Sequence, residues 1–502
     1  MERCRCVALI FIQEQRKHFA TKKRLMTLKS SPSNPPGLRP EYLSFPEVLA
    51  QSIANIAPTA TPAFVIPLVF ASAGNGTWLA YLTATVGLLL VSFSINEFAR
   101  RSASVGSLYA FIARGLGPVI GVIAGWALVI AYLFTATAVI LGFASYGDVL
   151  LGSSGSIGLA IFLAAVGTVA AWWIAYRDIK LSAKFMLVFE LASAGLTVLL
   201  AAIVLIKTGF RLDFQQFTLV GVSPDSLRLG LVLAVFSFVG FESATALGDE
   251  AKNPLRSIPR AVLTSVIVPG LFFVILSYTE VLGFRGNSVT LDKSDAPLAV
   301  LANQAGVGFF GILISLGAVI SFFACVLASI NAGSRILFAL SRHGIIHPRV
   351  GTAHRTNATP DVAIALTAVL TFVIPVVVLF AGNSIMDAYA YLGTIATFGF
   401  LVTYILVAIA APVYLYRNNR FQPHQIVISA IGIVFMLIPL VGSLYPIPAA
   451  PYNILPYLFL LLLVAGSAWL GWVWVRSPHV IQEIEQDLET VSSQFPSTPN
   501  AK

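Results

Sequence analysis

The chain has 502 residues, 57% of them hydrophobic and only 11% charged, whereas soluble domains carry about a quarter charged side chains. The apolar residues fall in long runs, which excludes an ordinary soluble protein and identifies an all-α polytopic membrane protein. The formal charge of +9 is not gathered into a basic patch interleaved with aromatics, so no nucleic-acid partner is expected.

The N-terminal tail spans residues 1–44. Its apolar stretch "VALIFI" (7–12) is shorter than the core of a secretory signal. Met26 is an alternative start, and residues 29–40 are rich in Pro, Ser and Gly. The three cysteines, Cys4, Cys6 and Cys325, give no disulfide framework. No further ligand-type residues accompany Cys4 and Cys6, so no metal and no cofactor are expected.

Runs of about 20 apolar residues, the length that crosses a bilayer, lie near 46–70, 77–99, 118–145, 155–176, 182–206 and 227–247. Six more lie near 260–283, 307–334, 361–381, 387–416, 425–445 and 454–475. They are continuous rather than alternating, which predicts twelve helices and not a barrel. Ten of the spans fall in a core of residues 45–416, two in residues 417–475, and a C-terminal tail follows at 476–502. Of the 31 Lys and Arg, only Lys207, Arg211, Arg228, Arg285 and Lys293 fall on one side of this arrangement. The excess of positive charge marks the other side as cytoplasmic, and both termini with it.

Two spans are interrupted. The first carries Pro58, Pro62 and Pro67 in its body, and proline removes a helical donor while crowding the preceding turn. The sixth carries Gly240 followed by Glu242. Spans one and six are corresponding members of two five-helix halves, a pattern that predicts an inverted repeat with a binding site at the two breaks. Unwinding frees N–H groups at one half-helix start, suited to a carboxylate, and carbonyls at another's end, suited to an ammonium. An α-amino acid carries both groups. The plainer reading is that the prolines only kink a packed helix.

Glu242 and Glu190 stand within apolar spans, where a carboxylate costs about 2.5–3.5 kcal/mol. Each is a candidate for taking up and releasing a proton during transport, against the alternative of a permanently protonated structural residue. Glu97 with Arg100 and Arg101 reads as well as an interfacial ion pair as it does as a gate, and Asp387 reads as an interfacial cap. "GVGFFG" (306–311) opens a span and follows no strand, so it is no dinucleotide site. "HGIIH" (343–347) lacks the glutamate of a zinc-protease helix, and the sequon "NGT" (75–77) lies in an external loop.

Four stretches carry a resemblance. They are "NEFARRSASVGSLYAFIARGLGP" (96–118) with "GWALVIAY" (125–132), "FSFVGFESATALGDEAKNPLRSIPRA" (236–261), "SINAGSRILFALSRHG" (329–344) and "ATPDVAIALT" (358–367). Over roughly residues 45–475 the chain resembles amino acid permeases of the amino acid–polyamine–organocation (APC) superfamily. That resemblance implies a five-plus-five repeat with broken helices one and six, plus two peripheral helices. It puts Ala60, Thr61 and Pro62 in the first helix, and Val239, Gly240, Phe241 and Glu242 in the sixth, at site positions. Phe236, a turn earlier, falls where the family often has an aromatic gate. Two departures stand out: Ala60-Thr61-Pro62 replaces the family's glycine-rich break, and Ser193, with Glu190 one turn away, occupies the place of a lysine used by some proton-coupled relatives.

The expectation is a secondary transporter, not an enzyme, that takes amino acids across a plasma membrane by proton symport. A polyamine or other amine as substrate and an exchange mode keep the same fold and stay open. A non-transporting amino acid sensor is the alternative class, disfavoured by short tails. The expected partners are a small-molecule substrate and the lipid bilayer.

Overall fold

The computed structural model describes residues 38–104, 106–152, 156–294, 296–477, 480 and 484. The Cys4–Cys6 pair, Met26 and most of both tails lie outside these residues. Among the described residues there is no strand, only one isolated bridge between Leu43 and Ala251.

Helix α1 (Phe45–Ile56) starts where the Glu47 carboxylate accepts the Ser44 backbone N–H at 2.6 Å. After a break comes a π turn, Thr61–Val65, and then α2 (Ile66–Ala73). Next in order are α3 (Thr77–Ala99), the short α4 (Leu108–Leu116), α5 (Pro118–Leu150), α6 (Ile157–Arg177) and α7 (Ile179–Lys207). A loop with one helical turn at Phe214–Phe217 leads to α8 (Pro224–Phe236) and the 3-10 segment Ser243–Leu247. The remainder is α9 (Pro254–Gly283), the short α10 (Pro297–Gln304), α11 (Gly308–Arg342), α12 (Asp361–Phe380), α13 (Ile385–Arg417), α14 (Pro423–Gly442) and α15 (Leu455–Arg476).

Ten helical stretches among the described residues are long and apolar enough to cross a membrane. Their outward faces carry exposed Phe162, Leu191, Leu271 and Phe380, a surface suited to lipid tails and not to water. The molecule is thus an all-α, multi-pass membrane protein with a broken first helix. Helix α5 is central: 89% of its apolar window is buried, against 28% for α14 and 22% for α15 at the periphery. It packs along α11 and α13, and α1 with its break lies against α11 as well.

At the end of the bundle where α1 begins, here called the near end, the Glu250 carbonyl accepts the backbone N–H groups of Tyr42 and Leu43, both at 2.8 Å. The Lys252 N–H donates to the Leu43 carbonyl at 2.7 Å. The Glu97–Arg101 ion pair forms at 2.6 Å, and Asp387 joins Ser384 at the start of α13, as expected of an interfacial pair and a cap. His343 bonds Tyr109 while His347 caps the turn after α11.

Candidate functional site

The first break falls at Ala57–Thr59, three residues ahead of the expected Ala60–Pro62. Ala57 takes a left-handed conformation (φ 51°), and its N–H bonds the carbonyls of Ala54 and Ile53. Pro58 has no N–H, so the helix stops there. Ala60, Thr61 and Pro62 instead form the first turn of the second half. Pro67 likewise leaves the Ala63 carbonyl without a helical donor, and the Tyr146 hydroxyl of α5 fills that place at 2.6 Å. The proline pattern therefore both breaks the span and exposes a carbonyl that a neighbour takes up.

The second break is longer. From Val235 to Leu247 the backbone bonds run i to i+3: Phe238 to Val235, Val239 to Phe236, Phe241 to Phe238, Ser243 to Gly240 and Thr245 to Glu242. Such a run in mid-span marks a hinge. Gly240 turns the chain with φ 81°. A Cβ there would stand 1.5 Å from Asn55 Nδ2, so glycine is required by conformation and by contact.

Asn55 joins the two breaks to α11. Its side-chain oxygen accepts the Ser329 hydroxyl at 2.7 Å, and its backbone carbonyl accepts Cys325 Sγ–H at 3.1 Å. Further along α1, Gln51 donates to the Ala328 carbonyl, the Ser243 hydroxyl donates to the Gln51 carbonyl, and the Ala244 N–H donates to Ser52. The Ala60 N–H, released by the first break, donates to the Ser321 hydroxyl of α11 at 3.2 Å.

Between the breaks lies a cavity of about 10 Å³, enough for a single water and no more. The conformation is closed on its site. Of the expected site residues, Ala60, Thr61, Phe236 and Val239 line this cavity, together with Asn55, Thr135, Ser237 and Tyr389. Pro62, Gly240, Phe241 and Glu242 do not. The turn at Gly240 sends the following residues to the other side of the strand of backbone, where the Phe241 ring packs on Tyr404 with centroids 5.2 Å apart. On the side of the cavity toward α2, Phe64, Tyr389 and Phe236 pack in series, at 4.6 Å between the first two and 5.9 Å between the last two. Phe236 is therefore one member of an aromatic plug.

Glu242 is fully buried and held by two tyrosines. Tyr132 of α5 donates to Oε1 at 2.7 Å and Tyr404 of α13 donates to Oε2 at 2.6 Å. Glu190 of α7 is equally buried. It faces the Ser321 hydroxyl and the Thr59 backbone, which puts it beside the first break. Ser193, one turn on, lies against Gly317 of α11. Tyr132, Tyr404, Asn55 and Ser321 were not among the residues expected from sequence. A tyrosine or asparagine within an apolar span is the only local signal they carry.

The amino acid permease family model matches residues 47–480. The chain belongs to the amino acid permease family. Within it, the chain is 26% identical to a branched-chain amino acid permease of Bacillus subtilis over 365 residues, which cover 68% of this chain and 73% of that one. It is 27% identical to a methylthioribose transporter of the same organism, covering 60% of this chain and 67% of the relative. It is also 26% identical to a low-affinity putrescine importer of Escherichia coli, covering 58% and 65%. The permease is accordingly a secondary-active transporter of small molecules in the APC superfamily, and not an enzyme.

Proposed function

We propose that this permease carries uncharged amino acids across a plasma membrane, coupled to protons. The observation that carries the reading is the meeting of the two breaks, Asn55 against Gly240, around a cavity flanked by two buried glutamates. The lining mixes apolar Ile56, Val65, Val139 and Val239 with Thr61, Thr135 and Ser237, and holds no ionisable carboxylate or cation. Backbone groups freed by the breaks suit the substrate's α-amino and α-carboxyl groups, and the apolar wall suits a neutral side chain. A dicationic polyamine, as the putrescine importer's name would suggest, finds no carboxylate in this lining.

Twelve passes in a five-plus-five inverted repeat, followed by two peripheral helices, fit the same reading. Phe45–Ala99 is 55 residues long, more than twice what a bilayer needs, and is interrupted at Gly74 (φ 52°). Pro224–Leu247 completes a pass only when α8 and the 3-10 segment are taken together. The near end is then cytoplasmic, with both termini on that side. Residues 45–416 would form the transport core and 417–475 the peripheral pair. Ala60, Thr61, Pro62, Phe236, Val239, Gly240 and Phe241 would form or shape the substrate site. Glu242 and Glu190 would carry the proton, Glu190 being the better placed to pass it to the first break.

The test is uptake of a labelled amino acid mixture into proteoliposomes, with and without an inward proton gradient and without sodium. Gradient-dependent accumulation is the expected result. Release of preloaded substrate without net uptake would make the permease an exchanger, and uptake of putrescine alone would move the substrate to amines.

A further inference from the structure

Glu280 belongs to neither break nor to the pair of glutamates described above. It lies three residues before the end of α9, is 1% exposed, and neither of its carboxylate oxygens has a hydrogen-bond partner among the described residues. Seven residues earlier on the same helical face, Phe273 packs on Tyr81 of α3 with ring centroids 5.7 Å apart. Glu280 is itself close enough to Tyr81 to act on it electrostatically. The Tyr81 hydroxyl is 3.0 Å from Ser237 Oγ, and Ser237 lines the central cavity. Tyr81 thus connects the face of α9 that carries Glu280 with the site.

The loop ahead of α8 closes this region from the far end. Gln216 Nε2 donates to the Tyr278 carbonyl at 3.2 Å, the Asp213 N–H donates to the Tyr278 hydroxyl at 2.9 Å, and Trp78 Nε1 donates to the Gln216 carbonyl at 3.2 Å. The loop therefore bridges α9 and α3 at the level of Glu280. Among the described residues no charged group at this end pairs with Glu280. Arg285 pairs with Asp213 at 2.9 Å, Lys293 lies 3.9 Å from Asp292, and Lys207 lines a separate cavity beside Gly283. Helix α10 contributes no ionisable side chain.

A buried carboxylate with no donor and no cation beside it is not held as an anion; it takes up a proton. A metal ion would need further ligands, and among the described residues no group of three His, Cys, Asp or Glu exists to supply them. We propose that Glu280 is a further proton-binding group of the permease, neutral while the far end is closed, and linked to the central cavity through Tyr81 and Ser237. Opening the far end separates Ser237 from Tyr81 and admits water to Glu280. Its O–H bond then breaks, the proton passes to that water, and the carboxylate is left charged until the loop closes again and a proton returns. The direction of this cycle rests on the transport reading; the protonation of Glu280 does not.

The experiment is an infrared pH titration of the purified full-length permease, following the C=O stretch of protonated carboxyl groups. One component should be present in wild type, Glu190→Gln and Glu242→Gln, and absent from Glu280→Gln. Glu280→Asp keeps a carboxyl group and should move that component without removing it, which separates loss of the group from loss of the fold. Tyr81→Phe should retain the component and shift its midpoint. A Glu280→Gln spectrum that superimposes on wild type at every pH overturns the site. A Tyr81→Phe midpoint identical to wild type overturns the link to the cavity. A protein that passes these tests but shows no gradient-dependent uptake refutes proton symport and leaves Glu280 standing as a proton site.

Discussion

Asn55 lies directly against Gly240, so that the side chain at the end of the first half-helix occupies the space a Cβ of residue 240 would need. The two interruptions are thereby one structural unit, with Ser329 fixing Asn55 from α11. Gly240→Ala must displace Asn55 and hold φ 81° with a side chain, a backbone cost of about 1–3 kcal/mol before the displacement is counted. We expect uptake to fall at least about tenfold, the rate equivalent of about 1.4 kcal/mol, with a lowered melting temperature. Gly74 also has positive φ but nothing within 4 Å, so Gly74→Ala should lose stability only and keep most of its uptake. Initial rates in proteoliposomes, with melts of the same preparations, check both.

Glu242 accepts two hydroxyls at once, from Tyr132 and Tyr404. Either tyrosine to phenylalanine removes one donor from a buried carboxyl group, a loss of about 1.5–3 kcal/mol when the group is charged. Glu242→Gln keeps the shape and removes the titratable oxygen. Its expected phenotype is loss of accumulation driven by an inward proton gradient, with counterflow of preloaded substrate retained. A Glu242→Gln permease that still accumulates substrate as wild type does would transfer the coupling role to Glu190 or Glu280.

What could be read in the residues was the part of the fold that is local. Pro58 and Pro67 remove donors wherever they stand, and Gly240 marks a backbone that leaves the helix, so both breaks were legible. The exact place of the first was not, because Ala57 finds its cap in Ala54 and Ile53 and stops the helix a turn early. The partners of Glu242 lie 110 and 162 residues away, and nothing in the neighbourhood of Tyr132 or Tyr404 announces the contact. Phe241 was expected over the substrate, but the turn at its own preceding residue sends it to Tyr404. Glu280 carries no local signal at all: three residues from the end of an apolar run is where a carboxylate ordinarily meets water, yet here it is 1% exposed.

Arg335 and Glu250 form a buried ion pair at the near end, each 1% exposed, with Nε to Oε2 at 2.7 Å and a second bond from the guanidinium to Oε1 at 3.0 Å. Arg335 also donates to the Asn331 carbonyl at 3.1 Å, and the Glu250 backbone carbonyl holds Tyr42 and Leu43. Breaking the pair from one side leaves an uncompensated buried charge, at about 3–5 kcal/mol. Glu250→Leu and Arg335→Met should each destabilise the permease strongly and free residues 42–43, read out as faster labelling of a cysteine introduced at Leu43. The double variant should recover much of the loss, since replacing a buried pair by apolar groups is often neutral. A double-mutant cycle of melting temperatures measures the coupling.

Asp213 ties the far-end loop through Arg285 at 2.9 Å, Gln216 Nε2 at 3.0 Å and the Gln215 N–H at 3.2 Å. Burial by itself would raise its pKa, but the hydrogen bonds from Gln216 and Arg285, the Arg285 charge and the Gln215 N–H together hold it below the usual carboxylate range. A folded-state value below that of the unfolded chain makes the ionised group stabilising. That contribution is complete above the unfolded value, about pH 4, and drains away as pH falls through the lower folded value. Asp213→Asn should therefore melt below wild type at neutral pH, and the two melting curves should converge as the pH is taken below the ordinary carboxylate range. A difference that persists undiminished in acid would mean that Asp213 holds the loop by shape and not by charge.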